Sequence, residues 1–307
     1  MAGSSKTAIY AALVGNSLIA VTKFAAASFT GSSAMMSEGI HSLVDTGNQV
    51  LLLYGIKRSN QPADSEFPFG HGKEIYFWSF VVAMLIFALG GAVSVYTGWQ
   101  HLAHPTPIEN IAINYAVLGF AVVFEAGALW VAFREFNLSR GSLGIVKAIK
   151  HGKDPTLFVV VFEDSAALLG LLIALIGMFL YQVTGNPIFD GLASISIGVL
   201  LIFTAFVLAV ESKNLLIGES ADPQIVASIH KELAADDRVS DVNEVATLHM
   251  GPDFIVATVS ADFMDTLSAS ELESAVTDLN KRIKKIDPRL QRVFIEAERG
   301  QDHDLQD

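Results

Sequence analysis

In SEGIHSLVDTGNQVLLLYGI, residues 37–56, the ionisable groups Glu38, His41 and Asp45 lead into a run apolar enough for a membrane span. At about 100° per residue these side chains fall within roughly 60° of one another on a helix, and Asn48 and Gln49 extend the same polar stripe. An ionisable group at mid-membrane costs roughly 2.5–3.5 kcal/mol on the insertion scale, and such groups face a bundle interior or a water-filled path. The stretch TLFVVVFEDSAALLGLLIALIGMFL repeats the anomaly with Glu163 and Asp164, and contains no Lys or Arg to neutralise them. A divalent cation held between the two stretches would do so. An imidazole with carboxylates suits zinc or a related first-row metal, and His41 and Asp45, four residues apart, can reach one ion from one helix. The competing reading is that these groups only hydrogen-bond across helices.

The elements that must position these residues follow from composition. The chain has 307 residues, 51% hydrophobic and 17% charged, with a mean hydropathy of +0.46, too apolar for an ordinary soluble protein. It has no cysteine, so any metal is held by N and O ligands. Six segments near 7–30, 34–57, 75–100, 109–134, 156–182 and 188–212 have the length that a roughly 30 Å hydrocarbon core demands. The apolar run of the first continues past Lys23 without a cleavage site, which reads as a span and not a removed signal. The connections after the second and fourth spans are basic, with Lys57, Arg58 and Lys73, then Arg134, Arg140, Lys147, Lys150 and Lys153. The other three have no Lys or Arg, so both termini are expected on the cytoplasmic side.

From Asn214 onward the character changes: 19 acidic against 9 basic residues carry most of the chain's net charge of −12. Amphipathic and alternating patterns follow in the order αββαβ, with the two central strands joined at Gly251-Pro252-Asp253. The expected organisation is an α-helical membrane domain over 1–213, a small cytoplasmic α+β domain of ferredoxin-like kind over 214–300, and a disordered tail over 301–307.

The motif His41-Ser42-Leu43-Val44-Asp45, the loop QPADSEFPFGHGKE, Asp164 and the αββαβ domain together resemble the cation diffusion facilitators, six-span proton-coupled exporters of zinc and related metals. The resemblance covers essentially the whole chain. HSLVDTGNQ, VVFEDSAALLG and TGNPIFD look most like the branch containing zinc transporter nine. The resemblance implies a transport site with two ligands four apart on each of spans two and five. His41, Asp45 and Asp164 match it, whereas the remaining position is Val160, which cannot bind metal. Glu163, Glu38 or water then supplies the missing ligand. It also implies a secondary site in the loop after span two, where Asp64 and His71 match, Phe67 stands in place of a histidine and Glu66 is a substitute. In the cytoplasmic domain Glu296 and Glu298 replace the expected histidine and aspartate, with His249 nearby in sequence, so that regulatory cluster looks degraded. The acidic domain is expected to join two protomers as a homodimer. Lys73 matches a family lysine whose acidic partner is missing, Glu219 being the closest substitute.

Glu125, inside span four, is expected either to accept protons or to snorkel towards the inner interface. His101 and His104 read as interfacial, His230 and His303 as surface groups, and Asp190 as a cap at the start of span six. The basic segment SRGSLGIVKAIKHGK is expected on an anionic inner leaflet. With no phosphate-binding loop, no nucleophile with a base and no cofactor motif, neither an enzyme nor a nucleic-acid partner is expected; the metal is cargo. The expected function is proton-coupled export of a divalent cation, zinc first, across the cell membrane. The alternative is a membrane metal sensor or scaffold that signals through the soluble domain.

Overall fold

The structure, a computed structural model, describes residues 2–108, 110–140 and 155–300, with side chains described from residue 13 except 14, 15, 139, 140 and 155–157. The basic segment 141–154, Glu109 and the tail with His303 lie outside the described residues.

Two compact units form, one of Met1–Lys57 with Glu74–Lys213, the other of Arg58–Lys73 with Asn214–Asp307. The loop Arg58–Lys73 is grouped with the C-terminal unit.

In the first unit α1 (Ala2–Thr30) and α2 (Ser33–Ser59) are separated by Gly31, whose φ of 73° is the left-handed turn that ends a helix at least cost when no Cβ is present. There follow α3 (Glu74–Leu85), a π-helical turn (Ile86–Ala92) and α4 (Val93–Ala103), one continuous rod; then α5 (Ile111–Arg140), α6 (Pro155–Thr184) and α7 (Ile188–Ile217). Among the described residues four stretches are long and apolar enough to cross a membrane: Glu74–Ala103, Ile111–Leu138, Phe158–Thr184 and Ile188–Ile217. The polar stripe of α2 lowers its hydropathy. Large apolar side chains such as Phe120, Phe124, Ile176, Phe179, Phe203 and Phe206 stand exposed on these helices. A water-soluble unit does not leave so much apolar surface uncovered, and this one is a multi-pass membrane domain.

Close backbone approach holds α4 against α7. A Cβ on Gly98 would lie 2.7 Å from the Gly191 carbonyl, and one on Gly198 would lie 2.7 Å from the Val95 nitrogen. Gly91 and Gly98, and Gly191 and Gly198, are each seven residues apart, the spacing of one seam between antiparallel helices. Gly91 lies within the π turn, where the widened backbone meets Ile202 and the Gly198 carbonyl.

The second unit contains α8 (Pro223–Ala234), β1 (Val239–Gly251), β2 (Phe254–Phe263), α9 (Ala269–Ile283) and β3 (Leu290–Ala297). The sheet order is β1-β2-β3, antiparallel between the first two and parallel between the last two. Asp222 caps α8 with Pro223 at its first position, and Ser268 and Glu271 form a reciprocal capping box on α9. Ile255, Ala257, Val259 and Ala261 alternate along β2 and pack with Ile225, Ile229, Leu233, Leu279 and Ile283, making a two-layer α+β core. The expected order αββαβ is present; among the described residues the sheet has three strands, one fewer than a complete ferredoxin-like sheet.

Candidate metal-transport site

The polar stripe of α2 is buried: Glu38, His41, Asp45 and Asn48 are at most 9% exposed. His41 Nε2 lies 3.5 Å from Asp45 Oδ2, and neither imidazole nitrogen has a hydrogen-bond partner. On α6, Glu163 is buried and Asp164 half-buried. The two helices meet where Asn48 donates from Nδ2 to Glu163 Oε1 at 2.8 Å. Asp45 is within electrostatic reach of Glu163, Asp164 and Glu125. Glu125, on α5, is only 5% exposed. Among the described residues no three His, Asp or Glu side chains stand together closely enough to enclose an ion. Across α2 and α6 these polar groups are linked by the hydrogen bond of Asn48 with Glu163.

Lys23 was not expected here. It is fully buried on α1 and its ammonium donates to Glu38 Oε2 at 3.0 Å and to Ser42 Oγ at 2.8 Å. The signal was legible, since a lysine inside an apolar span calls for a named acidic partner.

At the N-terminal end of α2, Asp190 does not cap its own helix. It sits in the first turn of α7, and its carboxylate accepts from the Ser33 and Ala34 backbone N–H groups at 2.6 and 3.3 Å. It also accepts from the hydroxyls of Ser32 and Ser33 at 2.5 and 2.7 Å, and so caps α2 from across the bundle. His101 is buried, with Nε2 3.7 Å from Asp190 Oδ2, and is not the interfacial group expected; His104 is exposed.

In the loop, Asp64 Oδ2 meets His71 Nε2 at 3.0 Å, while Oδ1 accepts from the Glu66 and Phe67 backbone N–H groups. The Phe67 amide and the His71 imidazole hold the Asp64 carboxyl below its ordinary range. The Phe67 ring lies 4.5 Å from that of His71, and the Glu66 side chain is exposed. Lys73 donates to the Leu216 carbonyl at 3.4 Å, the C-terminal end of α7, where the sequence suggested Glu219. Of the expected cytoplasmic acids, Glu296 is exposed and Glu298 accepts from Ser260, while His249 is buried with Nδ1 3.3 Å from the Gly251 carbonyl. His230 is exposed, as expected.

The helical membrane domain thus carries a buried acidic and imidazole stripe on α2, and a small α+β unit follows it in the chain. Residues 9–217 match the cation efflux transmembrane domain, and the chain belongs to the cation efflux family, the cation diffusion facilitators, in the branch of zinc transporter nine. It is 36% identical over 251 residues to the mouse (Mus musculus) proton-coupled zinc antiporter SLC30A9, mitochondrial, covering 81% of this chain and 44% of the relative. It is 33% identical to metal tolerance protein C4 of Arabidopsis thaliana, over 84% of this chain and 57% of that one. With the cation-efflux pump FieF of Escherichia coli it shares 26% identity, over 77% of this chain and 74% of the pump. The chain thus spans about half the length of the curated zinc antiporters it matches.

Proposed function

We propose that this chain is a proton-coupled secondary transporter that exports divalent cations, Zn²⁺ foremost, from the cytoplasm. The observation that carries the reading is that Asn48, on the buried stripe of α2 that holds His41 and Asp45, bonds Glu163 of α6, next to the half-buried Asp164. These four are the proposed ligands, Glu163 filling the place that Val160 cannot. Six spans, both ends of the chain in the cytoplasm and a homodimer complete the proposal, supported by the basic connections after spans two and four. Asp64, His71 and Glu66 form a proposed weaker loop site. The cell membrane is the proposed location.

Protons are the natural counter-substrate. A divalent ion binds deprotonated carboxylates and a neutral imidazole, so loading from the cytoplasm releases protons and unloading takes them up. Glu125, buried near the acids of α2 and α6, is a proposed relay for these protons. The protein's own groups supply the whole cycle, without a resident cofactor.

A second reading, a metal sensor or scaffold that does not transport, draws support from Val160 and from the absence of a converged three-ligand cluster among the described residues. Proteoliposomes loaded with a Zn²⁺ dye and given a pH gradient separate the two. Proton-driven Zn²⁺ flux that disappears in Asp164→Ala, while the variant stays folded, supports transport. Saturable Zn²⁺ binding with no flux in the wild type supports the sensor.

A further inference from the structure

We propose that Lys23 is a specificity-determining residue: by holding Glu38 in a buried ion pair, it withholds that carboxylate from the metal carried at His41 and Asp45. The inference rests on the transport site described above.

Glu38 lies one helical turn before His41 on the same stripe, so by spacing alone it is a candidate for the missing ligand. The structure commits it elsewhere. Lys23 and Glu38 are both completely buried, with Nζ 3.0 Å from Oε2. Ser42, adjacent to His41, takes another of the ammonium protons at 2.8 Å and fixes the direction of the lysine. The other carboxylate oxygen, Oε1, has no hydrogen-bond partner and points at Gly170 of α6, where a Cβ would lie 2.5 Å away. The absent side chain at Gly170 is what gives Glu38 room between α2 and α6.

Such a pair is expensive to bury, and replacing it with apolar residues often costs a fold nothing. Stability therefore does not account for it, whereas its position beside the site does. As a pair, Lys23 and Glu38 add no net charge next to a divalent ion. Without the lysine, Glu38 is a buried carboxyl group one turn from His41 that is neutralised either by a proton or by the carried cation. The site would then gain an anionic oxygen ligand, bind metal more tightly and release it more slowly. An added carboxylate also favours the harder Mn²⁺ over Zn²⁺. Lys23 thus keeps the ligand set lean enough for turnover and balanced towards imidazole.

The test is competitive Zn²⁺ and Mn²⁺ binding by calorimetry on the full chain in nanodiscs, with flux measured in parallel. Lys23→Gln is expected to bind Zn²⁺ about tenfold more tightly, Mn²⁺ by a larger factor, and to transport more slowly. Lys23→Gln with Glu38→Gln returns affinity to the wild-type value, and Lys23→Arg, which keeps the charge, behaves as wild type. A purely structural lysine gives weaker binding or none on substitution, so unchanged or weakened affinity in Lys23→Gln overturns the proposal. So does a gain that persists in the double variant. Should Lys23→Gln not fold, Glu38→Gln decides: an unpaired ammonium beside the site lowers Zn²⁺ and Mn²⁺ affinity alike, by about tenfold, whereas an unchanged affinity, or a loss larger for Mn²⁺ as a departing oxygen ligand gives, overturns the proposal. Absence of saturable binding by the wild type refutes the transport reading and this one with it. Saturable wild-type binding with an unmoved Lys23→Gln refutes this one alone.

Discussion

Asn48 of α2 donates a 2.8 Å hydrogen bond to Glu163 of α6, which ties the acidic turn of one helix to the polar stripe of the other. Asn48 is completely buried and Glu163 nearly so, so each polar group is satisfied chiefly by the other. If Glu163 is the ligand that replaces Val160, Glu163→Gln keeps the size, loses the charge and weakens Zn²⁺ binding about fivefold or more. Calorimetry reads this directly, and an unchanged affinity moves the fourth position to water.

Val160 is half-buried, one turn before Asp164. Val160→His is expected to supply a second imidazole and raise the ratio of Zn²⁺ to Mn²⁺ uptake, because nitrogen ligands suit zinc better than manganese. Competitive uptake in one liposome preparation at fixed pH checks it; a ratio equal to that of the wild type contradicts the geometry.

Removing the carboxylate that caps α2 from α7 leaves buried donors unsatisfied. Asp190→Ala is expected to destabilise the membrane unit by about 2–3 kcal/mol, more than an ordinary exposed cap, because two backbone and two hydroxyl donors lose their acceptor together. Thermal unfolding in detergent, with Asp190→Asn as the milder comparison, gives the measurement. Equal melting temperatures for wild type and Asp190→Ala would falsify the cap.

The seam between α4 and α7 has no room for a methyl group. Gly98→Ala would bring Cβ within 2.8 Å of the Ile195 nitrogen as well as the Gly191 carbonyl, and backbone atoms cannot rotate away. A loss of about 1–3 kcal/mol is expected, against almost nothing for Gly119→Ala, where no atom stands within 4 Å of the added carbon. Paired melting curves decide it.

In the second unit Asp236 is held by Arg238 at 2.8 Å and Arg282 at 3.0 Å, and hydrogen bonds from Arg238 lower its pKa to about 2. A carboxyl whose folded pKa is depressed contributes stability above its unfolded value near 4, and that contribution is lost as pH falls through 4 towards 2. Protection of the sheet amides in the full chain, taken relative to the intrinsic exchange rate at each pH, is expected to fall over that window. Asp236→Asn should show faster exchange at neutral pH and a flatter acid response. An identical acid profile in the variant would place the pH sensitivity elsewhere.

Much of this protein is written locally in the chain. A run of apolar residues with Glu38, His41 and Asp45 on one side needs a buried polar partner whatever the fold, because lipid cannot solvate it; period two in β2 and the capping residues Asp222 and Ser268 likewise act within a few residues of themselves. The pattern alone therefore announced the buried polar stripe on α2 and the αββαβ order of the C-terminal unit. What no local pattern contains is the pairing of groups far apart in sequence. That Asp190 caps α2, that Lys23 takes Glu38 and that Asn48 reaches Glu163 depend on which helices lie side by side, with the glycines of α4 and α7 setting how closely. Charge and hydrogen-bonding capacity are properties of single residues, but their satisfaction in a membrane is a property of neighbours, and only the tertiary structure chooses those.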